Sequence, residues 1–188
     1  MPEIKICGVS DASFALEAAR LGVDYLGFIF EPASPRCVDA ATAAAIASRL
    51  AQRAGRRPAP RLVGVFVRQT PAEILETMDR ARLDVIQLHR RATESDVAEL
   101  RASGREVWAL AGGAVADGVL FDSSHGDGES AFRRGAYKSI LAGRLSAANA
   151  AEAIAAGADV LDFNSSLEDS PGRKSIPLLR ALFAALRR

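Results

Sequence analysis

Short, nearly continuous apolar runs alternate along this chain with longer stretches whose apolar residues recur at helical spacing. The run Glu3-Ile4-Lys5-Ile6-Cys7 predicts a first strand. Ser10 or Asp11 then suits a helix N-cap, and Phe14, Ala15, Ala18, Ala19 and Leu21 follow at helical spacing until Gly22 stops the helix. A second strand is predicted over 24–30; its unbroken apolar character fits a parallel sheet covered on both faces. Two prolines keep 31–37 out of helix. An alanine-rich helix is predicted from about Asp39 to Ala54, then a polar break at 55–60 and a third strand at 62–67. Pro71 opens the third helix, with Ile74, Leu75 and Met78 on one face. The fourth strand is 84–88, and Thr93 with Asp96 forms a capping box for a helix that turns Val97, Ala98 and Leu100 inward.

The rhythm then breaks. A fifth strand at 106–110 is followed by Ala111–Ala116, too short for a crossover helix, and at once by a sixth strand at 118–122. The seventh strand is about Tyr137 to Ala142; Ser146 caps a helix that runs to Ala156 and stops at Gly157. The eighth strand is 159–163, 164–174 is a polar loop, and a last helix covers 176–186. Alternating strands and helices imply a parallel sheet, and eight repeats favour closure. The expected fold class is therefore α/β: a single-domain (β/α)8 TIM barrel over 1–188, reduced, with helix 5 shortened or missing. An open, doubly wound sheet is the alternative. The missing helix would bare the wall beside strands 5 and 6, to be covered by Trp108, by alanine-rich loops or by a second subunit in a homodimer.

Composition narrows the partners. Hydrophobic residues make up 49% and charged residues 25%, and the net charge of +1 favours neither a nucleic-acid nor a membrane partner. No apolar run reaches the ~18 residues of a membrane helix. The chain opens on a strand pattern rather than a signal-peptide pattern, so a cytoplasmic location with Cys7 and Cys37 reduced is expected. Two cysteines with His89 and His125 make no metal-ligand spacing, and no metal is expected.

Barrels of this kind carry their chemistry at the carboxyl ends of the strands. Cys7 lies there, followed by Gly8; it is a candidate thiolate base, or a small buried hydrophobe. Asp122 ends strand 6 and is a candidate general acid, or a loop-bracing aspartate. Arg36 follows two prolines and suits a fork onto a carboxylate or phosphate, or is simply solvated. Gln87 and His89 leave a polar pair at the end of strand 4. Gly143-Arg144 and Asn164-Ser165-Ser166 follow strands 7 and 8, whose loops often bind phosphate through backbone N–H groups.

Taken together these segments resemble the phosphoribosylanthranilate isomerase family of tryptophan biosynthesis. The matching pieces are Lys5-Ile6-Cys7-Gly8, Gly27-Phe28-Ile29-Phe30 with Ser34-Pro35-Arg36, Val63-Gly64-Val65-Phe66-Val67 and Gln87-Leu88-His89. Looser matches are Leu120-Phe121-Asp122, Leu141-Ala142-Gly143 and Ser165-Ser166-Leu167-Glu168 with Pro171-Gly172-Arg173-Lys174. The resemblance implies an Amadori rearrangement of a phosphosugar carrying anthranilate, without cofactor. It places the general base on Cys7, the general acid on Asp122 and the anthranilate carboxylate on Arg36. The chain departs from the family pattern in its phosphate loops. Ser124-His125-Gly126-Asp127-Gly128 replaces a glycine-rich loop, Arg144 replaces the second glycine of a pair, Ser166 replaces a glycine, and Arg90 follows His89 where glycine is usual. Two readings follow: a compact isomerase whose phosphate is held partly by Arg144, or a diverged barrel that binds another small anion without turnover.

Overall fold

The computed structural model describes residues 1–52, 58–123 and 132–187. Eight parallel strands close into a barrel in chain order: β1 (Glu3–Ile6), β2 (Tyr25–Ile29), β3 (Arg61–Phe66), β4 (Val85–Leu88), β5 (Glu106–Leu110), β6 (Gly118–Asp122), β7 (Lys138–Ala142) and β8 (Val160–Phe163). Closure is made by β1 against β8, with Lys5 opposite Asp162 and Ile6 opposite Phe163. Successive strand residues point to opposite faces, and here both faces are apolar. One set, including Cys7, Tyr25, Val63, Val85, Trp108 and Ile140, fills the inside of the barrel. The other, including Ile4, Ile6, Leu26, Phe28, Ile86 and Phe163, packs outward against the helices. That double burial is why the strands read as continuous apolar runs.

The helices are α1 (Ala12–Leu21), α2 (Ala40–Ala51), α3 (Pro71–Ala81), α4 (Glu94–Arg101), α5 (Ala150–Ala156) and α6 (Ile176–Leu186). Asp11, not Ser10, caps α1 by accepting the Phe14 N–H at 2.8 Å. Capping boxes start α3 at Thr70 with Glu73 and α4 at Thr93 with Asp96. Among the described residues, the loop after β8 adds a short hairpin, β9 (Glu168–Ser170) with β10 (Arg173–Lys174), entered through a 3-10 turn at Ser165–Leu167. No helix of the described residues is long and apolar enough to cross a membrane.

Several details differ from the sequence reading. The helix expected from Ser146 begins only at Ala150, because Asn149 Oδ1 accepts the Ser146 N–H at 2.7 Å and its Nδ2 donates to the Arg144 carbonyl. Those bonds hold 144–149 as a turn. Ala98 is exposed, and α4 buries only Val97 and Leu100; position 98 lies about 100° round the helix from 97, off the i, i+3 stripe. The α2 helix ends at Ala51, and the expected continuation over 53–54, with the Gly55-Arg56-Arg57 break, lies outside the described residues. So do His125, Asp127 and the rest of the loop at 124–131.

Helix 5 is absent, as expected: β5 runs directly to β6 through 111–117. The outer wall there is covered by the alanine-rich loop, with Ala116 buried, Ala114 packed on the core and the Ala114 N–H donating to the Ala92 carbonyl at 2.9 Å. Trp108 does not serve as that cover. It points inside the barrel, edge-on to Tyr25 with ring centroids 5.0 Å apart, and its indole N–H donates to Glu106 at 2.6 Å. Because Trp108 is fully buried in that interior layer, Trp108→Ala is expected to lower stability by about 3–5 kcal/mol through the cavity it leaves, measured as a fall in the urea midpoint with an unchanged slope.

Candidate active site

The strand alternation that buries Trp108 also carries polar side chains to the carboxyl ends of the strands, around a cavity of about 370 Å³. Cys7 enters it from just past β1, Gln87 and His89 from the end of β4, Asp122 from the end of β6 and Asp162 from β8. Loops add Arg36 after β2, Gly143 and Arg144 after β7, and Asn164 and Ser165 after β8. Nine of the ten residues singled out from sequence therefore line one cavity. The tenth, Ser166, does not line it; its Oγ is buried with no hydrogen-bond partner among the described residues.

Cys7 is fixed by its backbone, whose N–H donates to the Phe163 carbonyl at 2.8 Å. Gly8 then takes φ +72°, and a side chain there would strike Arg36 Cδ at 2.8 Å and Asn164 Oδ1 at 3.0 Å. Glycine is thus needed to let the chain turn between sulfur and arginine. The thiol is buried, and burial pushes it above the ordinary cysteine value; the nearby Lys5 ammonium pulls the other way.

Asp122 lies three strands round the barrel from Cys7, with its Oδ2 3.3 Å from His89 Nε2. Gly143 takes φ +88° directly against it: a Cβ would be 2.6 Å from Asp122 Oδ1 and 2.5 Å from Ser123 Oγ. Arg144 follows at φ +56°, a left-handed conformation that costs a non-glycine residue strain.

Arg36 is already engaged. Its Nε and Nη2 fork onto Glu168 at 2.7 Å each. Lys174 donates to the same carboxylate at 2.7 Å and to Asn164 Oδ1 at 2.8 Å. Burial pushes the Glu168 carboxyl up, but the hydrogen bonds from Arg36 and Lys174 outweigh it and hold the group below the usual glutamate range. The β9–β10 hairpin thus supplies both the clamp on Arg36 and the lysine that ties it to Asn164. A guanidinium has five N–H donors, so this side-on fork leaves the edge that carries Nη1 for a second carboxylate.

Four charged groups escaped selection from the sequence. Lys5 and Asp162 form a buried pair at 2.6 Å, and Glu168 and Lys174 hold Arg36. The signal for the first pair is present: Lys5 shares Cys7's inward phase, Lys5 stands between Ile4 and Ile6, and Asp162 stands between Leu161 and Phe163. Among the described residues no group of three His, Cys, Asp or Glu side chains is placed to hold a metal ion.

A family model for N-(5'-phosphoribosyl)anthranilate isomerase matches residues 4–185. The N-(5'-phosphoribosyl)anthranilate isomerase of Maridesulfovibrio salexigens is 34% identical, across 97% of each chain. That of Desulfovibrio desulfuricans is 36% identical, across 96% of this chain and 93% of its own. The crystal structure of phosphoribosyl anthranilate isomerase from Thermus thermophilus shares the fold with a TM-score of 0.83 and 32% identity, across 98% of each chain. With the matched region running from the first strand to the last helix, the chain belongs to the phosphoribosylanthranilate isomerase family.

Proposed function

We propose that this protein isomerises N-(5-phosphoribosyl)anthranilate to 1-(o-carboxyphenylamino)-1-deoxyribulose 5-phosphate, with Cys7 as general base and Asp122 as general acid. The observation that carries this reading is that both side chains reach one cavity whose rim also holds Arg36, Gly143 and Arg144. Asp122 protonates the furanose ring oxygen, the C1′–O bond breaks, and the anthranilate nitrogen becomes a protonated imine. Cys7 then removes the C2′ proton. The electron pair moves into the imine to give an enolamine, which tautomerises to the ketone. The protonated imine is the electron sink, so no cofactor enters the sequence of steps.

The remaining groups divide the substrate between them. The unforked edge of Arg36 takes the anthranilate carboxylate, held in place by Glu168. The phosphate lies at the other end, against the loops after β7 and β8, where Gly143, Asn164 and Ser165 offer backbone N–H groups and Arg144 adds a cation. Gln87 Oε1 is buried with no partner among the described residues, which suits it to accept a sugar hydroxyl. His89 orients the Asp122 carboxyl.

Freshly generated phosphoribosylanthranilate is followed by the decay of its fluorescence, with and without the protein. Acceleration over background hydrolysis is expected; no acceleration would favour the reading as an anion-binding barrel. Cys7→Ala and Asp122→Asn are each expected to lower kcat by about 10²–10⁴-fold with the fold intact by circular dichroism, and unchanged turnover in either would remove that residue from its role. Arg144→Ala is expected to raise KM for the phosphorylated substrate about tenfold, the equivalent of ~1.4 kcal/mol, with a smaller change in kcat. An unchanged KM would place the phosphate elsewhere.

A further inference from the structure

Lys5 stands two residues before Cys7, so the two side chains share the inward face of the barrel. Lys5 has no exposed surface, and its Nζ donates to Asp162 Oδ2 at 2.6 Å across the β1–β8 seam. The same ammonium and the Cys7 sulfur approach one point on the barrel's inner face. A Cβ built on Gly27 of β2 would be 3.1 Å from Cys7 Sγ and 3.3 Å from Lys5 Nζ, so both groups crowd the space that this glycine leaves open. At that separation the Lys5 ammonium and the Cys7 sulfur feel each other's charge.

We propose that Lys5 is a positioning residue for Cys7: its ammonium, pinned by Asp162, supplies the counter-charge beside the sulfur that lets a buried thiol ionise. This rests on the reading of Cys7 as the general base. The thiol proton leaves through the cavity to bulk water, and the sulfur keeps the electron pair that later takes the C2′ proton. Burial raises the thiol, and the Lys5 ammonium is the largest influence against it; Asp162 raises it and Lys174 lowers it. Arg36 also feels the sulfur's charge, and His89 and Asp122 face Asp162 from the far side. Asp162 therefore acts in two senses. Its carboxylate keeps a wholly buried lysine charged, and it offsets part of that lysine's field at the sulfur.

The test reads the thiol in the absence of substrate. The exposed Cys37 is replaced by serine, and the rate of Cys7 alkylation by iodoacetamide is followed against pH. Lys5→Met is expected to move the profile to higher pH and to slow alkylation at pH 7.5 by about tenfold or more. Since Lys5→Met leaves a carboxylate unpaired in the core, a change that favours misfolding, Lys5→Met/Asp162→Asn removes both charges together; there the expected slowing is at least about threefold. In the Lys5-containing chain labelled with [15N]lysine, the Lys5 Nζ resonance is expected to inflect at the same pH as the alkylation rate and to lose that inflection in Cys7→Ser. A folded variant with an unshifted alkylation profile, or a Lys5 signal blind to Cys7, overturns the proposal. Its failure stays separate from that of the isomerase reading, because a chain without turnover leaves the alkylation profile readable.

Discussion

A lysine with no exposed surface sits in the wall of this barrel because an aspartate lies 2.6 Å from it on the neighbouring strand. Either charge alone would be costly there, and breaking such a pair by removing one partner usually destabilises by about 3–5 kcal/mol. The pair also stands where the barrel closes, with Lys5 and Asp162 in register between the first strand and the last. A one-residue slip of β8 would turn Asp162 into the outer apolar layer and leave Lys5 unpaired inside. Apolar faces by themselves do not choose the register here, since both phases of these strands are hydrophobic. The buried pair distinguishes them.

From that seam the site is built by alternation and small residues. Fixing Lys5 inward fixes Cys7 inward two residues later, and the Gly8 turn then brings Arg36 and Asn164 against it. On the opposite side, Gly143 lets the loop after β7 lie on Asp122. The hairpin of β9 and β10 completes the frame by lending Glu168 to Arg36 and Lys174 to Asn164. Arg36 is thus held by a carboxylate and Asn164 by an ammonium, both from the hairpin.

The strand order and the lost helix were legible because their signals are local. Eight apolar runs bounded by caps and glycines leave few alternatives, and Ala111–Ala116 is too short for a crossover helix whatever surrounds it. What failed was decided at a distance or by phase. The choice between Trp108 and the alanine-rich loop as cover stays open in the sequence because Val107, Trp108 and Ala109 are all apolar, so nothing says which of them faces in. Ser146 looked like a cap because its rival, the Asn149 side chain reaching back to Ser146 and Arg144, leaves no trace in hydrophobic spacing. The Arg36–Glu168 fork joins residues 132 apart, and nothing near Arg36 announces it. The cavity's membership was mostly readable, since strand ends can be counted; its electrostatic wiring was not.

That wiring bears on the end of the cavity formed by the loops after β7 and β8. Of the charged residues lining the cavity, Glu31 is paired with Arg68, Asp162 with Lys5 and Arg36 with Glu168. Arg144 has no acidic partner among the described residues, and it stands in a left-handed conformation that glycine would adopt without strain. Holding an arginine in that conformation costs on the order of 1 kcal/mol, and glycine would remove the cost. The Asn149 side chain, bonded to the Arg144 carbonyl, stabilises the turn that enforces it. A strained cation lining the cavity beside the loops after β7 and β8 is what the doubly charged phosphate of the proposed substrate would stabilise.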